Sequence, residues 1–161
     1  MSTPRFVALL GYSGTLVTLL VLAPLRSAPQ VAVRIRPSAL ELAAEVLRTA
    51  ERFNAAQVGY AGVTPPEALA WRVVVRSQRA DSILEDIIGT GTRPGQLYAL
   101  AGLHLVDSAT YKTTLRRFTR LDEPVPAMIG CIVSTIPLPT LLKEIDSGLW
   151  TRELMVGRLM H

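Results

Sequence analysis

Residues 6–25 read FVALLGYSGTLVTLLVLAPL and contain no charged residue, while Arg5 and Arg26 stand at the two ends. An α-helix rises about 1.5 Å per residue, so twenty residues span about 30 Å, which is the thickness of bilayer hydrocarbon. The run predicts a transmembrane helix and divides the chain into an anchor (1–25), a linker (26–37) and an α-helical domain (38–161). A cleaved signal peptide is the alternative, although its apolar core is usually only about 7 to 15 residues long.

Small and basic residues in and after this run predict its contacts. Small residues at four-residue spacing let membrane helices approach closely, and this spacing predicts a packing face made of Gly11, Gly14, Thr15 and Thr18. Three basic residues that follow the run could contact lipid phosphates or an acidic partner, although a solvated tether is the preferred interpretation: Arg26, Arg34 and Arg36. The distribution of Arg slightly favours a cytoplasmic domain, whereas the short tail before the run favours an extracytoplasmic domain. We expect the extracytoplasmic orientation.

Composition narrows the function classes. The chain has 161 residues and a net charge of +4, and its 17 basic residues are spread along the sequence rather than clustered with aromatic residues, so we expect no nucleic-acid partner. The single cysteine, Cys131, can form neither an intrachain disulfide nor a cysteine metal site. Because it lies in the apolar run MIGCIVSTI, we expect it to be buried. With no phosphate loop and no metal-ligand cluster, we predict no cofactor and no small-molecule substrate.

Capping signals predict where the helices of the domain begin. Ser38 and Glu41 have the capping-box spacing and open a helix that extends to Phe53. The same spacing recurs from Thr64 to Glu67, where Pro65 and Pro66 suit a first helical turn. Thr92 opens a fourth helix, and Asp107 or Ser108 caps a fifth. The apolar residues after Glu67 leave almost no polar side, so the second helix should be buried.

The remaining segments are assigned from their breakers and apolar residues. Residues 54–63 contain two glycines and predict a loop, and residues 79–88 predict a short helix that Gly89 ends in a left-handed conformation. Residues 127–136 suit a buried strand or a buried helix equally well, and we predict a helix. Residues 137–146 predict a helix ended by Gly148, and residues 149–159 predict the last helix, with Trp150 and Leu154 inward.

A short motif recurs at the openings of two helices. Residues 64–69 (TPPEAL) and 92–97 (TRPGQL) share the pattern T-x-P-x-x-L at an offset of 28 residues. Proline-led helix pairs over about residues 64–118 resemble the antiparallel pairs of HEAT-type repeat proteins. The resemblance implies an all-α domain that docks on protein partners along one face, and it carries over no catalytic residue. The alternative is an irregular helical domain.

Few residues qualify as a chemical site. His104 and Asp107 stand three apart at a helix end and could form an acid/base pair, but a core histidine and a helix cap are the better interpretation. Cys131 has no local nucleophile signature. One basic helix surface could meet an acidic partner or anionic lipid, although a plain solvated face is the preferred interpretation: Lys112, Arg116 and Arg120.

These features together predict a function without catalysis. We expect a single-pass membrane protein whose helical domain serves as a structural or accessory subunit and docks on protein subunits of a larger membrane complex. The alternative is an exported, soluble periplasmic binding module from which residues 6–25 are removed as part of a signal peptide.

Overall fold

The computed structural model describes residues 37–156. The predicted anchor and the linker up to residue 36 therefore lie outside the described residues, together with their site residues Gly11, Gly14, Thr15, Thr18, Arg26, Arg34 and Arg36. Between residues 37 and 156, no helix is both long enough and apolar enough to cross a membrane. The prediction of a single-pass membrane localisation is corrected on this finding.

The described part of the chain forms seven helices and three strands. The helices are α1 (Ala39–Arg48), α2 (Pro66–Val75), α3 (Ala80–Thr90), α4 (Arg93–Val106), α5 (Ser108–Phe118), α6 (Leu138–Asp146) and α7 (Leu149–Val156). The strands are β1 (Phe53–Val58), β2 (Pro124–Gly130) and β3 (Ile132–Pro137). The predicted all-α fold class is therefore wrong, because the helices pack with a small mixed sheet.

The sheet combines a parallel and an antiparallel pairing. Its strand order is β1-β2-β3; β1 pairs with β2 in parallel, and β2 pairs with β3 as a hairpin. Two predictions fail here. The segment predicted as a loop, residues 54–63, contains most of β1, and the segment predicted as a helix, residues 127–136, forms most of the hairpin.

Most of the predicted helix starts are confirmed. The Ser38 hydroxyl accepts from the Glu41 amide and the Glu41 carboxylate accepts from the Ser38 amide, which completes the capping box of α1 and lowers the pKa of Glu41. Thr92 and Asp107 cap α4 and α5 through their side chains. Helix α2 differs, since Pro65 occupies its N-cap position and no side chain caps it.

The core lies where the central helix α4 meets the sheet. Tyr98 of α4 contacts Phe53 of β1 edge-on, and Phe53 also packs against Trp150 of α7. The Trp71 indole of α2 donates to the Tyr98 carbonyl. Trp150 and Leu154 are buried as predicted. Aromatic side chains from four elements thus hold β1 in the interior.

Two helices differ from their predicted form. Gly89 lies inside α3, which continues to Thr90, so the predicted left-handed stop is wrong. The left-handed glycine predicted at Gly148 is confirmed. In α2, Leu69 and Val73 are exposed, so this helix is buried on one side only, contrary to the prediction.

Candidate functional site at the open end of the sheet

Two tight turns meet at one end of the sheet. Because β1 and β2 are parallel, their carboxyl ends lie at the same end, and each strand is followed there by a turn. Residues 59–62 follow β1, and Gly130 with Cys131 joins β2 to β3. Gly59 and Gly130 have positive φ values of 73° and 57°, which glycine adopts without the steric cost of a side chain. Both reversals are therefore encoded locally by glycine.

Backbone hydrogen bonds connect the two turns. The Gly59 amide donates to the Gly130 carbonyl (N···O 2.8 Å), which joins one turn to the other. Val58 and Val63 exchange two backbone hydrogen bonds of 2.9 Å each, and the Gly62 amide donates to the Gly59 carbonyl. The end of the sheet is thus held by its own main chain rather than by long side chains.

Large apolar side chains project from this end into solvent. Tyr60 is fully exposed, and Val63 and Ile132 are 61% and 69% exposed. Tyr60, Cys131 and Ile132 line an open concavity of about 560 Å³. We call Tyr60, Val63, Cys131 and Ile132 the sheet-end surface. Exposed apolar groups gathered in one patch are typical of an interaction site rather than of an ordinary surface.

A second concavity of about 560 Å³ lies between α1 and α3. Leu40, Leu42 and Ile83 contribute apolar side chains to it. Of the two arginines that line it, Arg48 already pairs with Glu45 and Asp86. Because these charged groups satisfy one another, this concavity offers fewer groups for a ligand than its volume suggests.

The edge of the sheet that β1 forms is covered by side chains from α4 and α7. The Tyr98 hydroxyl accepts from the Asn54 amide (2.7 Å) and donates to the Asn54 carbonyl (3.0 Å). Burial raises the pKa of Tyr98, so this hydroxyl keeps the proton that it donates. The Glu153 carboxylate lies against the backbone amide of Ala56, and burial, the largest effect, raises its pKa. The backbone amide and carbonyl of Asn54 thus both have partners within the fold.

His104 and Asp107, considered and set aside as an acid/base pair, do not bond to each other. The Asp107 carboxylate accepts from the amides of Ala109 and Thr110 and from the Thr110 hydroxyl, and these hydrogen bonds lower its pKa. His104 Nδ1 lies 3.3 Å from the Thr151 hydroxyl, and its ring packs edge-on against Tyr111. Each residue thus has the structural role that the sequence favoured, as a helix cap and as a histidine packed against the core.

Cys131 occupies the hairpin turn and is exposed, so its predicted burial is wrong. That prediction rested on the apolar run around Cys131, whereas the turn between β2 and β3 leaves its side chain exposed. Across residues 37–156, no group of three or more His, Cys, Asp or Glu side chains is arranged to hold a metal ion.

The predicted basic surface is only partly a helix face. Lys112 and Arg116 are exposed on α5, four residues apart, whereas Arg120 lies beyond the helix, which ends at Phe118. None of the three forms an ion pair with the acidic side chains of the described region. Their predicted contact with an acidic partner stays a prediction.

Sequence reasoning missed the residues of the sheet-end surface. Gly59 and Gly62 were noted as loop residues, but the partner strand that gives Tyr60 its position lies about 70 residues away along the chain. The remaining signal was the apolar run MIGCIVSTI, which suits a buried strand or a buried helix equally well.

Comparison with known proteins assigns neither a family nor a function to the chain. No family model, no curated protein and no solved structure matches the chain. The HEAT-like resemblance therefore stays a prediction.

Proposed function

We propose that this domain is a non-catalytic docking module, an accessory subunit that binds a partner protein through its sheet-end surface. The observation that carries the proposal is a fully exposed aromatic side chain, Tyr60, beside the exposed Ile132 on a turn held by backbone hydrogen bonds. Aromatic residues at the centre of an apolar patch supply much of the binding energy in protein interfaces.

The local geometry supports a protein partner over a polar metabolite. The concavity is lined largely by apolar groups and glycine backbone, and its polar side-chain groups are the Gln57 amide, the Tyr60 hydroxyl and the Cys131 thiol. It contains no charged side chain that would fix a charged ligand. An apolar side chain of a partner protein matches this lining.

The rigidity of the two turns lowers the cost of binding. The Gly59–Gly130 hydrogen bond fixes the two turns relative to one another. Because the backbone of the turns is already ordered, little conformational entropy is lost when a partner binds. Tyr60 itself has only two side-chain torsions to restrict. We therefore expect docking to leave the backbone of the domain nearly unchanged.

Replacement of Tyr60 by serine tests the proposal. The tagged full chain and its Tyr60→Ser variant are purified from the native source, and the co-purifying partner is quantified and then titrated against each form. A central aromatic contributes about 2 kcal/mol or more, so we expect the affinity to fall by about 30-fold. The melting temperature should not change, because the Tyr60 side chain packs on nothing within the fold.

Leu42→Ser is the matched control. Leu42 is also exposed and apolar, but it lines the concavity between α1 and α3. The control should retain the partner. Retention of the partner by Tyr60→Ser, or its loss from Leu42→Ser alone, would refute docking at the sheet end.

A further inference from the structure

The two edge strands of the sheet, β1 and β3, differ in whether the rest of the fold covers their outward backbone groups. Along β1, the outward backbone groups of Asn54 contact Tyr98, the amide of Ala56 lies against Glu153, and Val58 pairs with Val63. An edge strand with unpaired amides and carbonyls is a template for pairing with another strand. The β1 edge is therefore blocked by the protein itself.

The register of the hairpin shows which backbone groups of β3 face outward. Ile129 and Ile132 are paired directly across a two-residue turn, and such a pair exchanges both of its backbone hydrogen bonds. The pattern alternates, so Ser134 and Ile136 also face β2, while Val133 and Thr135 direct their N–H and C=O groups to the outer edge. The prolines fit this alternation, since Pro124, Pro126 and Pro137 all occupy positions that need no N–H within the hairpin.

The outer edge of β3 is open within residues 37–156. The amides of Val133 and Thr135 have no backbone or side-chain acceptor there. Residues 132–135 are exposed, and Val133 is 58% exposed. The strand IVSTIP has no charged residue, and its proline stands only at the end. Common protections of an edge strand, a charged side chain or an inward proline, are thus absent from this strand.

We propose that β3 pairs antiparallel with β3 of a second copy of this chain, in a register centred on Ser134. The outward groups are self-complementary in this register: Val133 of each copy faces Thr135 of the other, and the two pairs exchange four backbone hydrogen bonds. The exposed Ile132 then lies across from Ile136, which packs partly against the core. The two three-stranded sheets become one sheet of six strands.

The ends and the charge of the strand favour a second copy as the occupant. Pro137 has no N–H, and the chain leaves the strand at the Gly130–Cys131 turn. In this register, Pro137 of one copy lies opposite Cys131 of the other copy. The pairing of the two strands therefore ends at these residues. Two chains of net charge +4 repel at long range, but the uncharged β3 brings no like charges together at the contact. A two-fold antiparallel pair also closes on itself and leaves no further open β3 edge.

The size of the contact sets the expected affinity. A strand of five paired residues is about 17 Å long and buries on the order of 500 Å² per copy, less than the roughly 800 Å² of a standard interface. We therefore expect a dimer that dissociates in the micromolar range. Its two sheet ends point in opposite directions, and Tyr60 and Val63 lie outside the paired strands. Ile132 belongs to both the sheet-end surface and the β3 pairing, so docking in the dimer rests on Tyr60 and Val63.

Sedimentation velocity of the full chain across the micromolar range tests the pairing. The wild-type chain should shift from monomer to dimer with concentration, and hydrogen exchange at the Val133 and Thr135 amides should slow as dimer forms. Thr135→Pro removes one outward N–H while it keeps the extended backbone, and Val133→Lys places a charge on the edge. Each should weaken the dimer by about tenfold or more, since a lost edge contact of about 1.4 kcal/mol is tenfold in affinity.

Val63→Lys is the matched control, because Val63 is exposed to nearly the same extent (61%) but lies outside β3. It should dimerise like the wild type. Thermal unfolding of each variant confirms that the hairpin is intact. A wild-type chain that stays monomeric, a Val133→Lys variant that dimerises as strongly as Val63→Lys, or growth of wild-type oligomers beyond the dimer would overturn the proposal. The docking function is tested separately by Tyr60→Ser, which leaves the β3 edge unchanged.

Discussion

Replacing Tyr98 by phenylalanine removes one oxygen atom and should destabilise the domain strongly. The Tyr98 hydroxyl of α4 accepts from the Asn54 amide and donates to the Asn54 carbonyl. Among the described residues, no other side chain of α4 bonds to these two backbone groups. Tyr98 is fully buried and Asn54 is 9% exposed, so water cannot readily replace the hydroxyl. The variant leaves two backbone groups of β1 without partners.

The expected loss follows from the cost of those two groups. A buried donor or acceptor without a partner costs about 1–3 kcal/mol, so two of them should lower the free energy of unfolding by about 2–6 kcal/mol. For a domain of this size, about 1 kcal/mol corresponds to about 4 °C, which predicts a fall in melting temperature of about 8–24 °C. Urea denaturation followed by the fluorescence of the buried Trp71 and Trp150 measures the free energy directly.

Tyr111→Phe is the matched control for this experiment. The Tyr111 hydroxyl donates to the carboxylate of Asp146, an exposed residue that water can solvate once the hydroxyl is gone. The control should therefore cost about 1 kcal/mol or less. Equal losses in the two variants would refute the view that Tyr98 completes the edge of β1, as would unchanged hydrogen exchange at the Asn54 amide in Tyr98→Phe.

Two further variants test the packing of the helices and the buried charge. A Cβ atom on Gly95 would overlap the Leu47 carbonyl oxygen, whereas one on Gly89 would meet nothing within 4 Å; thermal unfolding should show Gly95→Ala destabilised by about 2–3 kcal/mol and Gly89→Ala stabilised by about 0.5–1 kcal/mol, and equal effects would contradict this contact of α4 with α1. Burial raises the pKa of Glu153 above its ordinary value of 4.5, so the folded state binds this proton up to a higher pH than the unfolded state does. The free energy of unfolding of the wild type should therefore fall as the pH rises from 4.5 through the pKa of the folded state. Glu153→Gln should therefore be the more stable protein at neutral pH and lose this advantage below pH 4.5; a difference that does not depend on pH would show that the charge of Glu153 is not responsible.

Helix starts were predictable because their signals are local. Ser38 with Glu41, Thr92 and Asp107 each satisfy free amides within three residues along the chain, so the sequence at each position is sufficient to encode the cap. The same holds for Gly148, whose left-handed conformation ends its turn. Gly89 shows the limit of this reasoning, because a glycine near a helix end also fits inside the helix.

The strands were not predictable from local signals. Residues 53–58 include two alanines and an asparagine, which have low strand propensity, and they form β1 because Tyr98, 44 residues away, and β2, about 74 residues away, complete their backbone hydrogen bonds. Residues 127–136 suit a strand or a helix equally well until the Gly130–Cys131 turn pairs Ile129 with Ile132.

By itself, the sequence determined most of the helix starts, the side-chain caps of α1, α4 and α5, and the inward faces of Trp150 and Leu154, because these caps and amphipathic spacing are set within a few residues. It did not determine where α1 ends, because the predicted helix reached Phe53 whereas α1 ends at Arg48. Only the tertiary structure decided the sheet, the exposure of Cys131 and the juxtaposition of Tyr60 with Ile132. Strand pairing joins residues distant along the chain, and its free energy depends on which backbone groups the rest of the fold leaves without partners.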